Sequence, residues 1–305
     1  MKITFLGTSA GIPTKNRYVS ALALQLENSR EWMLFDCGEG TQYRLMQTSL
    51  SSFNLSKIFI THLHGDHIYG IFGLLASRGL SRAEKEVEIY GPSGIKELLE
   101  TVLRLSQLNL PFEMNVTEIE DGDLYRFEKF SVEVRKLSHS ITTFGFIVTE
   151  AEKEGRFDVE RARRAEIPEG PLYGRLKRGE SVTLADGRRV DGKSFIGAPR
   201  RGKRVIIGGD NDKPSLFEEY NGVDLMIHEA TYTQRDFEKL PRKFMHSTAK
   251  SVAVAASNMG AKRLILTHIS PRYDKEGRVF ELLEEAKSRF DGDVEVAYDL
   301  MSVEI

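Results

Sequence analysis

The sequence predicts an α/β protein whose two similar halves face each other across one polar centre. Three observations lead there. Short apolar strand-like runs alternate with helical spacing through most of the 305 residues. A segment of the first half, Lys57-Ile58-Phe59-Ile60-Thr61-His62, is echoed in the second by Arg263-Leu264-Ile265-Leu266-Thr267-His268. Each is a basic residue, a buried strand and then Thr-His, so each half would deliver a strand end to a shared site. All seven histidines sit beside small, hydroxyl or acidic residues, and three fall in one run, His62-Leu63-His64-Gly65-Asp66-His67.

Taken in order, the chain opens on a strand at Lys2–Leu6 and a Gly/Ser/Pro loop over Gly7–Thr14. Strands are expected at Val19–Leu26 and Trp32–Asp36, the second running into Cys37-Gly38-Glu39-Gly40. Helical spacing follows over Thr41–Met46. The apolar strand Lys57–Ile60 leads directly into the histidine run. Helices are expected over Ile71–Arg78 and Gly94–Leu105, and strands at Val87–Tyr90, Val132–Leu137 and Phe144–Val148. From about 150 to 196 strand signals fade and Pro, Gly and basic residues take over. Strands return at Arg204–Ile207, Leu225–His228 and Arg263–Thr267, with helices over Thr248–Met259 and Val279–Arg289.

The bulk composition narrows the function. Hydrophobic residues at 40% suffice for a sizeable core. The net charge of −2 is uneven: fourteen Lys/Arg against seven Asp/Glu between Gly155 and Arg204 leave +7 there and −9 elsewhere. That pattern points to a local anion-binding element. One cysteine, Cys37, excludes an internal disulfide and a thiolate metal cluster. The N-terminus enters a strand without a charged-then-apolar leader, and no apolar run is long enough to span a bilayer, so a soluble, cytoplasmic protein is expected.

The histidine run carries the chemistry. His62 and His64 lie two apart, and in an extended segment their side chains project to one side. Asp66 and His67, beyond the Gly65 bend, can aim at a second point nearby. Nitrogen and carboxylate donors without sulfur suit zinc, with manganese or iron as alternatives. Further ligands must come from elsewhere: Asp210 follows a strand and two glycines, while His139 and His268 follow strands. Taken alone, each reads equally well as a turn aspartate or a core histidine.

These residues resemble the metallo-β-lactamase superfamily and, within it, the ribonuclease Z family of tRNA 3′-processing endonucleases. The resemblance covers nearly the whole chain. It rests on Phe5–Pro13, Leu34–Gln42, the His62–His67 run, His228-Glu229-Ala230-Thr231, His246-Ser247-Thr248 and Leu266–Ser270. The histidine run marks the superfamily; the 228–231 and 246–248 segments are specific to the tRNA enzymes. The resemblance implies a four-layer αβ/βα sandwich of two facing mixed sheets, formed by 1–149 and 197–305, with 150–196 inserted as a protruding flexible arm. It implies two zinc ions per subunit: His62, His64 and His139 on one, Asp66, His67 and His268 on the other, Asp210 bridging. Asp36 would support the histidine loop from behind. Asp66 would also accept a proton from the attacking water. His246 is the candidate proton donor to the leaving 3′ oxygen, with Glu229 orienting it.

The implied substrate is precursor tRNA, cut after the discriminator nucleotide to leave a 3′-hydroxyl. The implied assembly is a homodimer in which the arm of one subunit grips tRNA held at the other's site. No DNA or membrane partner is expected. The arm carries the family's Gly-Pro pattern at Gly170–Gly179. There Arg175, Lys177 and Arg178 offer phosphate contacts and Tyr173 a stacking ring. An insert of roughly 45 residues in a compact domain is long enough to suggest a function of its own. The loop Pro13–Arg17, with Lys15 and Arg17, resembles the loop that accommodates the tRNA 3′ end. Two departures stand out: Tyr18 where the family has Asn, and Asn211 where it commonly has Thr. Competing readings are a hydrolase of small esters or cyclic phosphodiesters on the same metals, and a non-catalytic RNA-binding protein with structural metals.

Overall fold

A computed structural model describes residues 1–275 and 277–305. Its first sheet is built from β1 (Lys2–Gly7), β2 (Ala21–Gln25), β3 (Trp32–Phe35), β4 (Leu55–Phe59), β5 (Val87–Gly91) and β6 (Met114–Glu118). The second holds β7 (Leu124–Arg126), β8 (Phe130–Lys136), β9 (Phe144–Glu150), β12 (Arg204–Ile207), β13 (Leu225–Glu229), β14 (Arg263–Thr267) and β15 (Asp293–Val296). A last strand, β16 (Ser302–Glu304), returns to the first sheet, giving the orders β16-β1-β2-β3-β4-β5-β6 and β15-β14-β13-β12-β9-β8-β7. β3 to β6 run parallel, as do β12 to β15; β16, β1, β2 and β3 pair antiparallel. Both sheets are therefore mixed. The sequence reading did not include β6, β7, β15 and β16. All four are short, and each exposes half or more of its residues to some degree, so the apolar signal is weak.

The two-residue period of a strand sorts the core. Leu34 and Ile58 turn outward onto the helices α3 (Ile71–Leu80) and α4 (Ile95–Leu105), which follow α1 (Thr41–Leu45) and α2 (Gly65–Ile68). Their neighbours Phe35 and Phe59 turn inward, where Phe146 of the opposite sheet meets them with ring centroids 5.6 and 5.3 Å away. On the far side, Ile206, Met226 and Leu264 pack under α8 (Ala249–Asn258) and α9 (Val279–Lys287). Helix, sheet, sheet, helix is a four-layer sandwich. Burial on both faces explains why β12 and β14 read as nearly unbroken apolar runs.

The chain divides into two compact units. The first comprises Met1–Arg126, Ser131–Val148 and Lys203–Ile305, the second Phe127–Phe130 and Thr149–Gly202. The second unit is more ordered than its composition suggests. It holds α5 (Val159–Arg164), α6 (Pro171–Lys177) and the hairpin of β10 (Ser181–Thr183) and β11 (Arg189–Asp191). Asp158 caps α5 by accepting the Arg161 N–H, and Pro171 starts α6. Ala162, Ile167, Leu176, Val182, Leu184 and Phe195 form its own small core. Tyr173 packs against this cluster, its ring 5.2 Å from Phe157, and stays half-buried. Arg175 and Arg178 both reach Glu180, at 2.9 and 2.8 Å. Lys177 is exposed.

Candidate metal centre

The strand ends of both sheets converge on one cluster. Asp36 follows β3, His62 follows β4, His139 follows β8, Asp210 follows β12, Glu229 ends β13 and His268 follows β14. The order β14-β13-β12 sets His268, Glu229 and Asp210 side by side at the carboxyl ends of parallel strands, the usual position of a site in such sheets. Asp210 arrives through Gly208 and Gly209. A Cβ at 208 would lie 2.8 Å from the His228 ring, and one at 209 would lie 2.8 Å from Thr61 and the Phe144 carbonyl. Only glycine lets the aspartate come this close. The Gly65 bend is the first residue of α2: His64 stands extended at its N-terminus while Asp66 and His67 ride on its single turn.

Seven side chains form two donor groups. His62, His64, His139 and Asp210 present atoms within 4.8 Å of one another, as do Asp66, His67 and His268. Asp210 faces both. Its Oδ2 lies 3.8 Å from His62 Nε2 and from His139 Nε2, and its Oδ1 lies 3.4 Å from His67 Nε2 and 3.3 Å from His268 Nε2.

The hydrogen bonds behind the rings show what sits in front. Asp36 Oδ2 takes the His67 Nδ1–H at 2.7 Å and the Thr61 hydroxyl at 3.0 Å. With its proton given to Asp36, Thr61 Oγ1 can only accept from His62 Nδ1, at 2.9 Å. Thr231 donates to Glu229 at 2.7 Å and so accepts from His268 Nδ1 at 3.1 Å. His139 Nδ1 donates to the Met245 carbonyl at 2.9 Å. Four imidazoles are thereby held in the tautomer that turns a bare Nε2 lone pair inward. His67 Nε2 and His268 Nε2 face each other at 3.3 Å, and His62 Nε2 faces His64 Nδ1 at 3.1 Å, with Asp66 and Asp210 alongside. Lone pairs and carboxylates gathered this closely need a cation between them. The residues thus fit a bound metal ion, and nitrogen with oxygen donors is the chemistry expected of one.

The electrostatics agree. Burial opposes charge on His67, yet the carboxylates of Asp210, Asp36 and Asp66 outweigh it and lift the ring to about 10, so they draw to Nε2 a proton that a bound metal ion would displace. His62 is driven well down, by burial first and then by its neighbouring imidazoles. Burial would raise Asp66, but His268 and His67 hold it far below the usual carboxylate range, and its Oδ2 accepts the Gly11 N–H at 2.9 Å.

His246 and Glu229 form a pair at the edge of the donor groups, with His246 also presenting a ring nitrogen within 4.8 Å of Asp210 and His268 donors. His246 Nδ1 lies 3.0 Å from Glu229 Oε1. Burial opposes protonation of His246, but Glu229 prevails and raises it to about 9; Glu229, also opposed by burial, is lowered to about 2 by His246. The Asn211 and Ser247 amides also donate to Glu229 Oε1, at 3.0 and 3.1 Å. His246 precedes α8, whose cap is Thr248 in a reciprocal box with Ser251. His228 lies outside the cluster: it is fully buried, its Nδ1 donates to the Glu229 carbonyl and its Nε2 accepts from Asn211 Nδ2. Asn211 therefore ties the segment just after Asp210 to β13 through its side-chain amide.

The sequence reading missed Thr61, Thr231 and the Met245 carbonyl, which set the tautomers. The Thr-His echo was a signal for Thr61. The structure also corrects Arg17. Its side chain is buried, bonded to Thr8 Oγ1 and the Ala297 carbonyl, with Asp274 3.8 Å away. It braces the loop from within and offers no free cation, whereas Lys15 is exposed. The cleft above the cluster encloses about 650 Å³ and is lined by His64, Asp66, His139, Asp210, His246 and His268, with Arg242 and Phe244 at its rim.

Comparison with known proteins gives the class first. The chain superimposes on human tRNase Z, short form, with a TM-score of 0.69 and 30% identity, covering 100% of this chain and 99% of that one. It superimposes on the metallo-β-lactamase fold protein YhfI of Bacillus subtilis with a TM-score of 0.67 at 19% identity, covering 100% and 98%. Fold and centre together define a hydrolase of the metallo-β-lactamase fold. A family model described as Anti-Pycsar protein Apyc1 matches residues 1–154, ending before Asp210, Glu229, His246 and His268. Over its whole length the chain is 44% identical to ribonuclease Z of Brevibacillus brevis, spanning 97% of that protein, and over 98% of its length 44% identical to ribonuclease Z of Listeria monocytogenes, spanning 98%. The chain belongs to the ribonuclease Z family.

Proposed function

We propose that this chain is a dinuclear zinc endoribonuclease that removes the 3′ trailer of precursor tRNA after the discriminator nucleotide and leaves a 3′-hydroxyl. The observation that carries the reading is Asp210, whose two oxygens each face a separate nitrogen-rich donor group. His62, His64 and His139 would hold one ion, Asp66, His67 and His268 the other, with Asp210 shared. Two such ions supply activated water near neutral pH and neutralise charge at the phosphorus. Asp66, held ionised, can take a proton from that water. His246 carries a proton at neutral pH and has Nδ1 committed to Glu229, which leaves Nε2 to protonate the departing 3′ oxygen. Asp36 fixes His67 and, through Thr61, His62.

The protein acts as a cytoplasmic homodimer on this reading, with residues 150–196 as the arm that holds the tRNA body. A 3′-extended precursor tRNA incubated with purified protein should yield one product ending in a 3′-hydroxyl at the discriminator base. Hydrolysis of small esters or cyclic phosphodiesters with intact precursor would instead favour the competing reading. Neutralising Arg175, Lys177 and Arg178 together should weaken tRNA binding about tenfold and flatten its salt dependence, each lost phosphate contact lowering the slope by about 0.7–0.9. Turnover of a small phosphodiester should change little. Equal losses on both substrates would remove the arm assignment.

A further inference from the structure

Beside the metal centre, the strap 7–19 and the loop 37–40 meet. Gly11 donates to Asp66. Gly38 lies so close that a Cβ there would sit 2.3 Å from the Asp66 carbonyl. Three tyrosines line this seam. Tyr69 is 65% exposed and its ring covers Gly65, where a Cβ would meet it at 2.2 Å. Tyr18 lies over Gly40, where a Cβ would meet its ring at 2.0 Å. Tyr43 is 52% exposed and stacks on Tyr18, with centroids 6.1 Å apart and planes 22° apart. The Arg44 guanidinium lies 4.4 Å over the Tyr18 ring and is fixed by Asp299 at 3.1 Å. Asp299 also accepts the Tyr18 backbone N–H at 2.7 Å.

Large aromatic rings left open to water, seated on glycines and held by a braced arginine, are arranged to receive another flat π-system. We infer that Tyr43, Tyr18 and Tyr69 form a stacking platform for an unpaired nucleobase adjoining the scissile phosphate. The inference rests on the RNA-cleaving reading. Every base has a π-face, so such a platform grips single-stranded RNA without reading its sequence. Arg44, paired with Asp299, holds the Tyr18 ring in place from behind. Tyr18 is this chain's departure from the family's Asn, which makes the inner layer of the stack a property of this protein.

The test uses Tyr43→Ala, Tyr43→Phe and Tyr18→Asn, with bound-metal content confirming an intact centre. Their dissociation constants are measured for an eight-nucleotide oligoadenylate, and KM and kcat for 3′-extended precursor tRNA. The precursor is also prepared with an abasic site at the discriminator or at the first trailer position. Tyr43→Ala and Tyr18→Asn should each weaken oligoadenylate binding and raise KM about tenfold with kcat held, while Tyr43→Phe stays within about twofold. The abasic position that costs the parent the same factor, and costs Tyr43→Ala nothing further, identifies which side of the cut supplies the base. Unchanged oligoadenylate binding in Tyr43→Ala would overturn the inference. So would loss of the dimer in that variant with RNA binding intact, which would assign the face to a second copy of the chain. If the parent leaves precursor tRNA uncut while Tyr43→Ala still loses oligoadenylate, the RNA-processing reading fails and the platform stands.

Discussion

Asp210→Asn should lose cleavage by about 10³-fold or more and no longer retain a full complement of metal. The shape of the side chain is kept, but a neutral amide cannot offer one anionic oxygen to each donor group. Both groups then depend on imidazoles and on Asp66 alone. Several kcal/mol of charge stabilisation at the phosphorus disappear with the ions, and each 1.4 kcal/mol is a factor of ten in rate. Metal content per chain and single-turnover cleavage measure the two losses. A folding defect is separated by thermal unfolding after chelation. In the stripped protein the Asp210 charge favours protonated His67 and His246, so its removal costs that pairing. The stripped variant should melt somewhat below the stripped parent but still in one cooperative transition, which shows that it folds. A variant that keeps both ions and cuts at the parental rate would refute the role of Asp210.

His246→Ala should lower kcat for precursor tRNA by about 10²–10⁴, the range of a general acid. Metal content should be unchanged. The loss should nearly vanish on a phosphodiester whose leaving group is a nitrophenolate, because that group departs without a proton. The pH profile gives the sign. His246 is raised to about 9, so the donor is present throughout the neutral range and is lost as pH climbs through about 9. Cleavage should fall above that point. In Glu229→Gln the ion pair is gone, leaving burial to oppose the weaker upward pull of Asp210 and Asp66, so the fall should move to lower pH. A His246→Ala variant equally impaired on both leaving groups would place the residue in structure and not in proton transfer.

Much of the centre was legible because its signals were local. Thr61-His62 and Thr267-His268 close β4 and β14, and Asp210 stands after a strand and two glycines that the fold requires. What could not be read depends on long-range convergence. Arg17 looks like a cation offered to substrate until Thr8, Ala297 and Asp274 are seen around it. Thr231 is one of many threonines until His268 arrives at its hydroxyl, 37 residues away in sequence. The order within 149–202 was hidden for a different reason. Its core uses single apolar residues such as Ala162 and Leu176 scattered through charged sequence, too sparse to produce a period.

The donor atoms are spread along the polypeptide in a way that times their assembly. A ribosome working from the N-terminus releases His62, His64, Asp66 and His67 early, His139 later and Asp210 later still. The four-donor group then has all its residues, while the other waits for His268 at the end of β14, a strand that lies between β13 and β15. Synthesis thus completes one cradle well before its neighbour, and a product truncated ahead of residue 268 would carry an unfinished pair.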